Sequence, residues 1–141
     1  MYTPRSISDW LALVEHHERV ALAMVNDKLA AGQAAFHAGL AVECALKAYI
    51  WHVERFNQWP DKGSRPDLYH HNLRKLKGIA GVTIKATDNN APSWHVMLSW
   101  DRNQGYDPQP MPRKVAKSYI EASFGDEGVV TWIRAQLTNA Y

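Results

Sequence analysis

The sequence predicts an all-α protein: an antiparallel bundle of four to five helices in a single domain covering residues 1–141. Three observations lead there. Apolar residues recur at helical spacing over several long stretches. With 46% hydrophobic residues in 141, the chain can bury one core of ordinary size. The one stretch with strand-like alternation, Val82–Ala86, is five residues long and has no partner strand, so it reads as extended loop.

The first helix starts near Ser8. Ser8 or Ser6 can cap it, and Asp9 suits the positive end of its dipole. Leu11, Val14, Glu18, Leu22, Val25 and Leu29 follow at helical spacing, with Glu18 as the polar interruption and Gly32 as the stop. The second helix, Gln33–Arg55, is rich in Ala and Leu and apolar around most of its circumference, which makes it the centre of the bundle. Pro60, Gly63 and Pro66 forbid a regular helix through 58–68, so a surface loop follows. A short helix then covers His71–Ile79. Asp88–Pro92 opens another, running over Ser93–Arg102 and stopping before Gly105. Pro108, Pro110 and Pro112 form a stiff connector. The last helix runs from Pro112 to Asn139, with a kink or break allowed near Gly125 and Gly128.

Several function classes lose ground at once. A net charge of +2 is too small to argue for nucleic acid by itself. The single cysteine, Cys44, excludes an intrachain disulfide and sits in an apolar helical stretch, as an inert buried thiol would. The N-terminal residues show no signal-peptide pattern and no stretch is apolar enough for a membrane span, so a cytoplasmic domain is expected. Seven histidines invite a metal site, but none pair at i, i+4, and His16-His17 and His70-His71 are adjacent, so no metal site and no cofactor is expected. No phosphate-cradling glycine loop and no nucleophile elbow is present.

Two places carry unexplained polarity. Glu43 and Lys47 lie i, i+4 on the most apolar helix and can pair. They occupy either its one solvated edge or the wall of a cleft or interface. The run Trp100–Pro108 packs Asp101, Arg102, Asn103, Gln104, Tyr106 and Asp107 at a helix end. It is either a cap and turn with Gly105 left-handed, or a polar site at the end of the bundle.

These segments resemble the HEPN family, small helical bundles of prokaryotic nucleotide- and RNA-related systems. Ala41-Val42-Glu43-Cys44-Ala45-Leu46-Lys47-Ala48 is similar to the family's second helix, His71-Asn72-Leu73-Arg74-Lys75-Leu76 to its His-x-Leu helix start, Arg102–Pro108 to the polar end of a later helix, and Val130-Thr131-Trp132-Ile133 to its last helix. The likeness spans about Ser8 to Leu137. Many members are metal-independent ribonucleases with an Arg, four to six residues and a His, paired across a dimer cleft. Arg102-Asn103 fits the first half of that motif, but Asp107 stands where the shortest spacing needs His. Arg65 and His70 satisfy the spacing with Pro66 between them in a loop, which reads as accidental.

RNA cleavage through the 2′-hydroxyl needs a group that titrates near neutrality and a cation for the phosphate. Arg102 supplies the cation, whereas a carboxylate, ordinarily titrating near about pH 4, is a weak base. The expected reading is a HEPN-like domain that binds RNA, a nucleotide or a partner protein, with ribonuclease activity absent or altered. Two alternatives are a metal-independent ribonuclease of a toxin–antitoxin or defence system, using Arg102, Asn103, Tyr106 and Asp107 with His70 or His71, and a non-catalytic interaction bundle. The candidate site holds Arg102, Asn103 and Asp107 as the reacting set, and Glu43, Lys47, Tyr106 and His71 as binding groups, with Asp107 steadying Arg102. The resemblance implies a homodimer and a nucleotidyltransferase-like antitoxin partner. Six tryptophans, a surplus of large apolar residues for so small a bundle, point the same way.

Overall fold

The computed structural model describes residues 2–140, and the side chains of 2–138. The protein is an all-α bundle of α1 (Ile7–Met24), α2 (Ala31–Glu54), α3 (Leu73–Ile79), α4 (Ala91–Leu98), α5 (Arg113–Phe124) and α6 (Val129–Ala140), with 3-10 turns at Pro66–Leu68 and Arg102–Tyr106. No strand occurs among the described residues, and none of the helices is long and apolar enough to cross a membrane.

Ser6 caps α1: its hydroxyl oxygen accepts from the Asp9 N–H at 3.1 Å. The buried stripe of this helix is Trp10, Val14 and Ala21, continued by Val25 just past its end. That stripe is rotated from the expected one, so Leu22 and Leu29 stand 52% and 79% exposed. The helix also ends well before Gly32. The Asp27 carboxylate accepts from the N–H groups of Leu29 and Ala30, offering the backbone a turn in place of a further helical bond. Glu18, the polar interruption, reaches Arg134 of α6 at 3.2 Å, a tie between helices that its own segment could not announce.

α2 is the axis of the bundle, and almost everything from Ala31 to Trp51 is buried. α1 runs antiparallel to it: Trp10 lies beside Lys47, and His17 beside His37. The loop 56–69 carries core residues. Trp59 stacks on Trp51 at 5.9 Å and meets Trp10 edge-on at 5.0 Å, and Leu68 is fully buried. Asn72 caps α3 by accepting from the Lys75 N–H, so that helix starts at Leu73 and leaves His71 in the preceding loop.

α4 stops at Leu98, short of the expected Arg102. Trp100 turns back onto α2 instead: its Nε1–H donates to the Ala35 carbonyl at 3.1 Å. Its ring lies directly on Gly39, where a Cβ atom would fall 1.8 Å from a ring carbon. Gly105 is not left-handed, since Gly81 is the one glycine with positive φ among the described residues. Gly105 is small because a Cβ there would fall 2.7 Å from the Phe36 ring.

The expected final helix is broken where Gly125 and Gly128 allowed it, which makes six α-helices among the described residues. At Gly128 a Cβ would meet the Ser123 carbonyl at 2.6 Å, so the chain turns tightly between α5 and α6. Thr131 then donates its hydroxyl to the Gly125 carbonyl at 2.7 Å. Five of the six tryptophans are buried and Trp132 packs against the same core. The core of one chain therefore accounts for the tryptophans, and they give no ground for a second copy.

Leu46→Ala should cost about 2–5 kcal/mol in chemical denaturation, because Leu46 is fully buried at the centre of α2. Gly39→Ala should cost about 1–3 kcal/mol through displacement of the Trp100 indole, visible as a change in tryptophan fluorescence.

Candidate functional site

Glu43 and Lys47 are not on a solvated edge. They are only 6% and 7% exposed, which removes the solvated-edge reading. Lys47 Nζ lies 3.2 Å from Glu43 Oε2, and it sits 5.5 Å from the Trp10 ring centroid, an attraction between cation and ring face. The other carboxylate oxygen, Glu43 Oε1, is 2.8 Å from His71 Nδ1. A carboxylate has no proton to give, so His71 Nδ1–H is the donor. In its neutral form His71 therefore keeps the lone pair on Nε2. A buried carboxylate fixes its tautomer and orientation, and a buried ammonium fixes the carboxylate.

His70 is set the opposite way. Its Nδ1 accepts from the Asn72 N–H at 3.0 Å, so the neutral ring carries its proton on Nε2. Burial, followed by the nearby ammonium groups of Lys47 and Lys75, holds His70 below the usual imidazole range.

His71 forms one wall of a cleft of about 490 Å3. Asn72, Leu73 and Arg74 continue that wall, and Ser99 to Asn103 form the facing one. Trp100 on Gly39 fixes the facing wall. Asp101 shapes its 3-10 turn by accepting from the Asn103 N–H at 2.8 Å. The Arg102 guanidinium lies 5.9 Å from the Phe36 ring centroid. The cleft thus gathers two guanidiniums, an imidazole, two amides and the Asp101 carboxylate, with the Trp100 and Phe36 rings beside Arg102.

The structure brings together Glu43, Lys47, His71, Arg102 and Asn103 from the expected set, either lining this cleft or directly behind it. Tyr106 and Asp107 stand apart. Tyr106 is 76% exposed. Asp107 lines a separate groove with Gln33, Gln109 and Met111, and its carboxylate accepts from the Gln109 N–H at 2.9 Å. That bond shapes the proline connector, and nothing in it steadies Arg102.

Sequence reasoning missed Arg74 and a histidine pair. His17 Nδ1 and His37 Nδ1 meet at 3.0 Å across the α1–α2 interface, twenty residues apart in the chain. Arg74 sits two residues past the Asn72 cap, a position that the cap and the flanking His71 could have flagged. Among the described residues no group of three or more His, Cys, Asp or Glu converges to hold a metal ion. Burial pushes the Cys44 thiol up to about 12, which leaves it un-ionised at neutral pH.

Compared with known protein families, curated proteins and solved structures, the chain matches none.

The buried pair makes a paired-substitution test decisive. Lys47→Met should cost about 3–5 kcal/mol in chemical denaturation, because it strands a buried carboxylate. Adding Glu43→Leu should recover most of that loss while leaving His71 without its partner.

Proposed function

We propose that this chain is a HEPN-like helical domain that binds the phosphate backbone of RNA, or the phosphates of a nucleotide, in the cleft between His71 and Arg102. One observation carries the reading: Arg102 and His71 line one cleft, and His71 is held by a buried carboxylate that has its own buried cation. A guanidinium fork matches two phosphate oxygens, and Arg74 adds a second fork on the far wall. Buried charges are costly unless they serve something, and positioning one imidazole is a sufficient reason for the Glu43–Lys47 pair.

A second reading, metal-independent RNA cleavage, is favoured by the same Glu43–His71 contact. His71 Nε2 would take the proton of the 2′-hydroxyl as its oxygen bonds to phosphorus, the P–O5′ bond would break to leave a 2′,3′-cyclic phosphate and a 5′-oxygen protonated by water, and Arg102 would meet the charge growing on the phosphate. In this reading His71 fills the role that Asp107 cannot. The family likeness adds a second copy of the chain and a nucleotidyltransferase-like antitoxin as partners. Light scattering at high micromolar concentration tests the first of these.

The binding test is fluorescence anisotropy with a labelled single-stranded RNA at low salt. Arg102→Ala should weaken binding about tenfold or more and lower the salt slope by about one, with circular dichroism unchanged. Asp107→Ala should bind as the parent chain does. Equal affinity for the parent and the Arg102→Ala chain would leave a protein-interaction bundle as the better reading. Incubation with RNA and a chelator tests cleavage: loss of product in His71→Ala supports the second reading, and no product from the parent chain removes it.

A further inference from the structure

The His17–His37 contact lies beside the proposed cleft and plays no part in it so far. The two Nδ1 atoms are 3.0 Å apart and the ring centroids 5.2 Å. The difference is close to two ring radii, so the nitrogens face each other head-on. Two ligands of one metal ion would instead converge on it at an angle. The head-on arrangement is a hydrogen bond: one ring donates Nδ1–H and the other accepts through its Nδ1 lone pair.

His37 also touches the site. Its ring meets the neighbouring Phe36 ring edge-on at 5.4 Å. Phe36 is the seat of the 3-10 turn: Gly105 packs against one part of its ring, Trp100 lies 6.2 Å away, and the Arg102 guanidinium rests over it. A chain of contacts thus runs from α1 through His37 and Phe36 to the cation of the cleft.

We infer that His17 and His37 form a proton-sharing pair across the α1–α2 interface that seats Phe36 and Arg102, so that acid releases Arg102 and weakens phosphate binding at the cleft. The structural half concerns the free protein; the binding half rests on the proposed function. A first proton leaves the pair intact, since an imidazolium still donates Nδ1–H to its neighbour. A second proton puts a hydrogen on both nitrogens and the bond cannot exist.

The surroundings set where this happens. Burial lowers the affinity of both rings for protons, and for His17 the neighbouring His37 and His16 add to that. Glu43 opposes it by favouring charge on His17, although that carboxylate already serves Lys47 and His71. Arg102, on the far side of Phe36, is the other charge nearby. The sign follows: with both rings' proton affinity lowered, the stability of the neutral pair is fully present above the ordinary imidazole value of about 6.5 and declines as pH falls below it, while the hydrogen bond itself is lost only at the second, more acidic protonation.

Nitrogen NMR of the free chain tests the pair directly. At pH 7.5 a coupling across the hydrogen bond should link the two Nδ1 nuclei. It should vanish on acidification, and the Phe36 ring and Arg102 Nε signals should shift with the same midpoint. In His17→Gln and His37→Gln that shared midpoint should be absent. Anisotropy with labelled single-stranded RNA tests the consequence: the parent chain should lose affinity severalfold between pH 7.5 and the acid pH at which the coupling has vanished, although its positive charge rises, and both variants should not. Absence of the coupling at pH 7.5, or Arg102 signals that ignore the histidine titration, would overturn the pair. An unchanged or stronger affinity in acid would overturn its control of the cleft. If RNA binds at neither pH, the proposed function fails while the NMR result still decides the pair.

Discussion

The architecture turns on a missing side chain. With no Cβ on Gly39, the Trp100 indole lies flat against α2 and donates to a carbonyl of that helix. This contact ends α4 early and swings the following 3-10 turn over Phe36. It thereby sets the distance between Arg102 and the loop that carries His71. A bulkier residue at 39 would push the turn off the helix, and the cleft would lose one wall. Gly105 repeats the device one layer further out, against Phe36.

Behind the cleft the electrostatics are arranged in depth. A fully apolar α2 would have been the simpler solution for the core, and replacing a buried ion pair with hydrophobic groups is often neutral or stabilising. The pair instead extends a line of fixed charge from Lys47, against Trp10, through Glu43 to His71 at the surface. Only the last member meets solvent to any extent. Such a line confers orientation more than strength, and orientation is what a binding or proton-transferring imidazole requires.

How far the sequence foretold this differs by feature. Helical period and alanine content located α2 to within a few residues, and glycine and proline marked the breaks at 125–128 and before Pro112. Where a side chain competed with the backbone, the period misled. Asp27 ended α1 without any glycine, and the apolar stripe was rotated because Leu22 and Leu29 look like core residues but face outward. Charge on an apolar helix drew attention to Glu43 and Lys47, and their burial removed the solvated-edge reading. Contacts between distant segments were not legible. Glu18 with Arg134 and His17 with His37 join residues that no local pattern relates. Asp107 was assigned by analogy to a motif, whereas the short 3-10 turn sends it to another face.

The joint between α5 and α6 has a dynamic consequence. Two helices meeting at a tight glycine turn form two cooperative segments where one continuous helix would have formed one. The polar clasp is slight, the Thr131 hydroxyl on the carbonyls of Phe124 and Gly125 with the Arg134–Glu18 ion pair farther along, and α6 is held mainly by Val129, Val130, Ile133 and Leu137, all buried in the core. Segments of a native protein open with different free energies, and those held by few ties open first. A hinge at this place makes α6, which packs mainly on α2, a unit that can leave the core separately from α5. Backbone amides of α6 would then exchange hydrogen for deuterium as one group, at a rate of their own separate from that of α5.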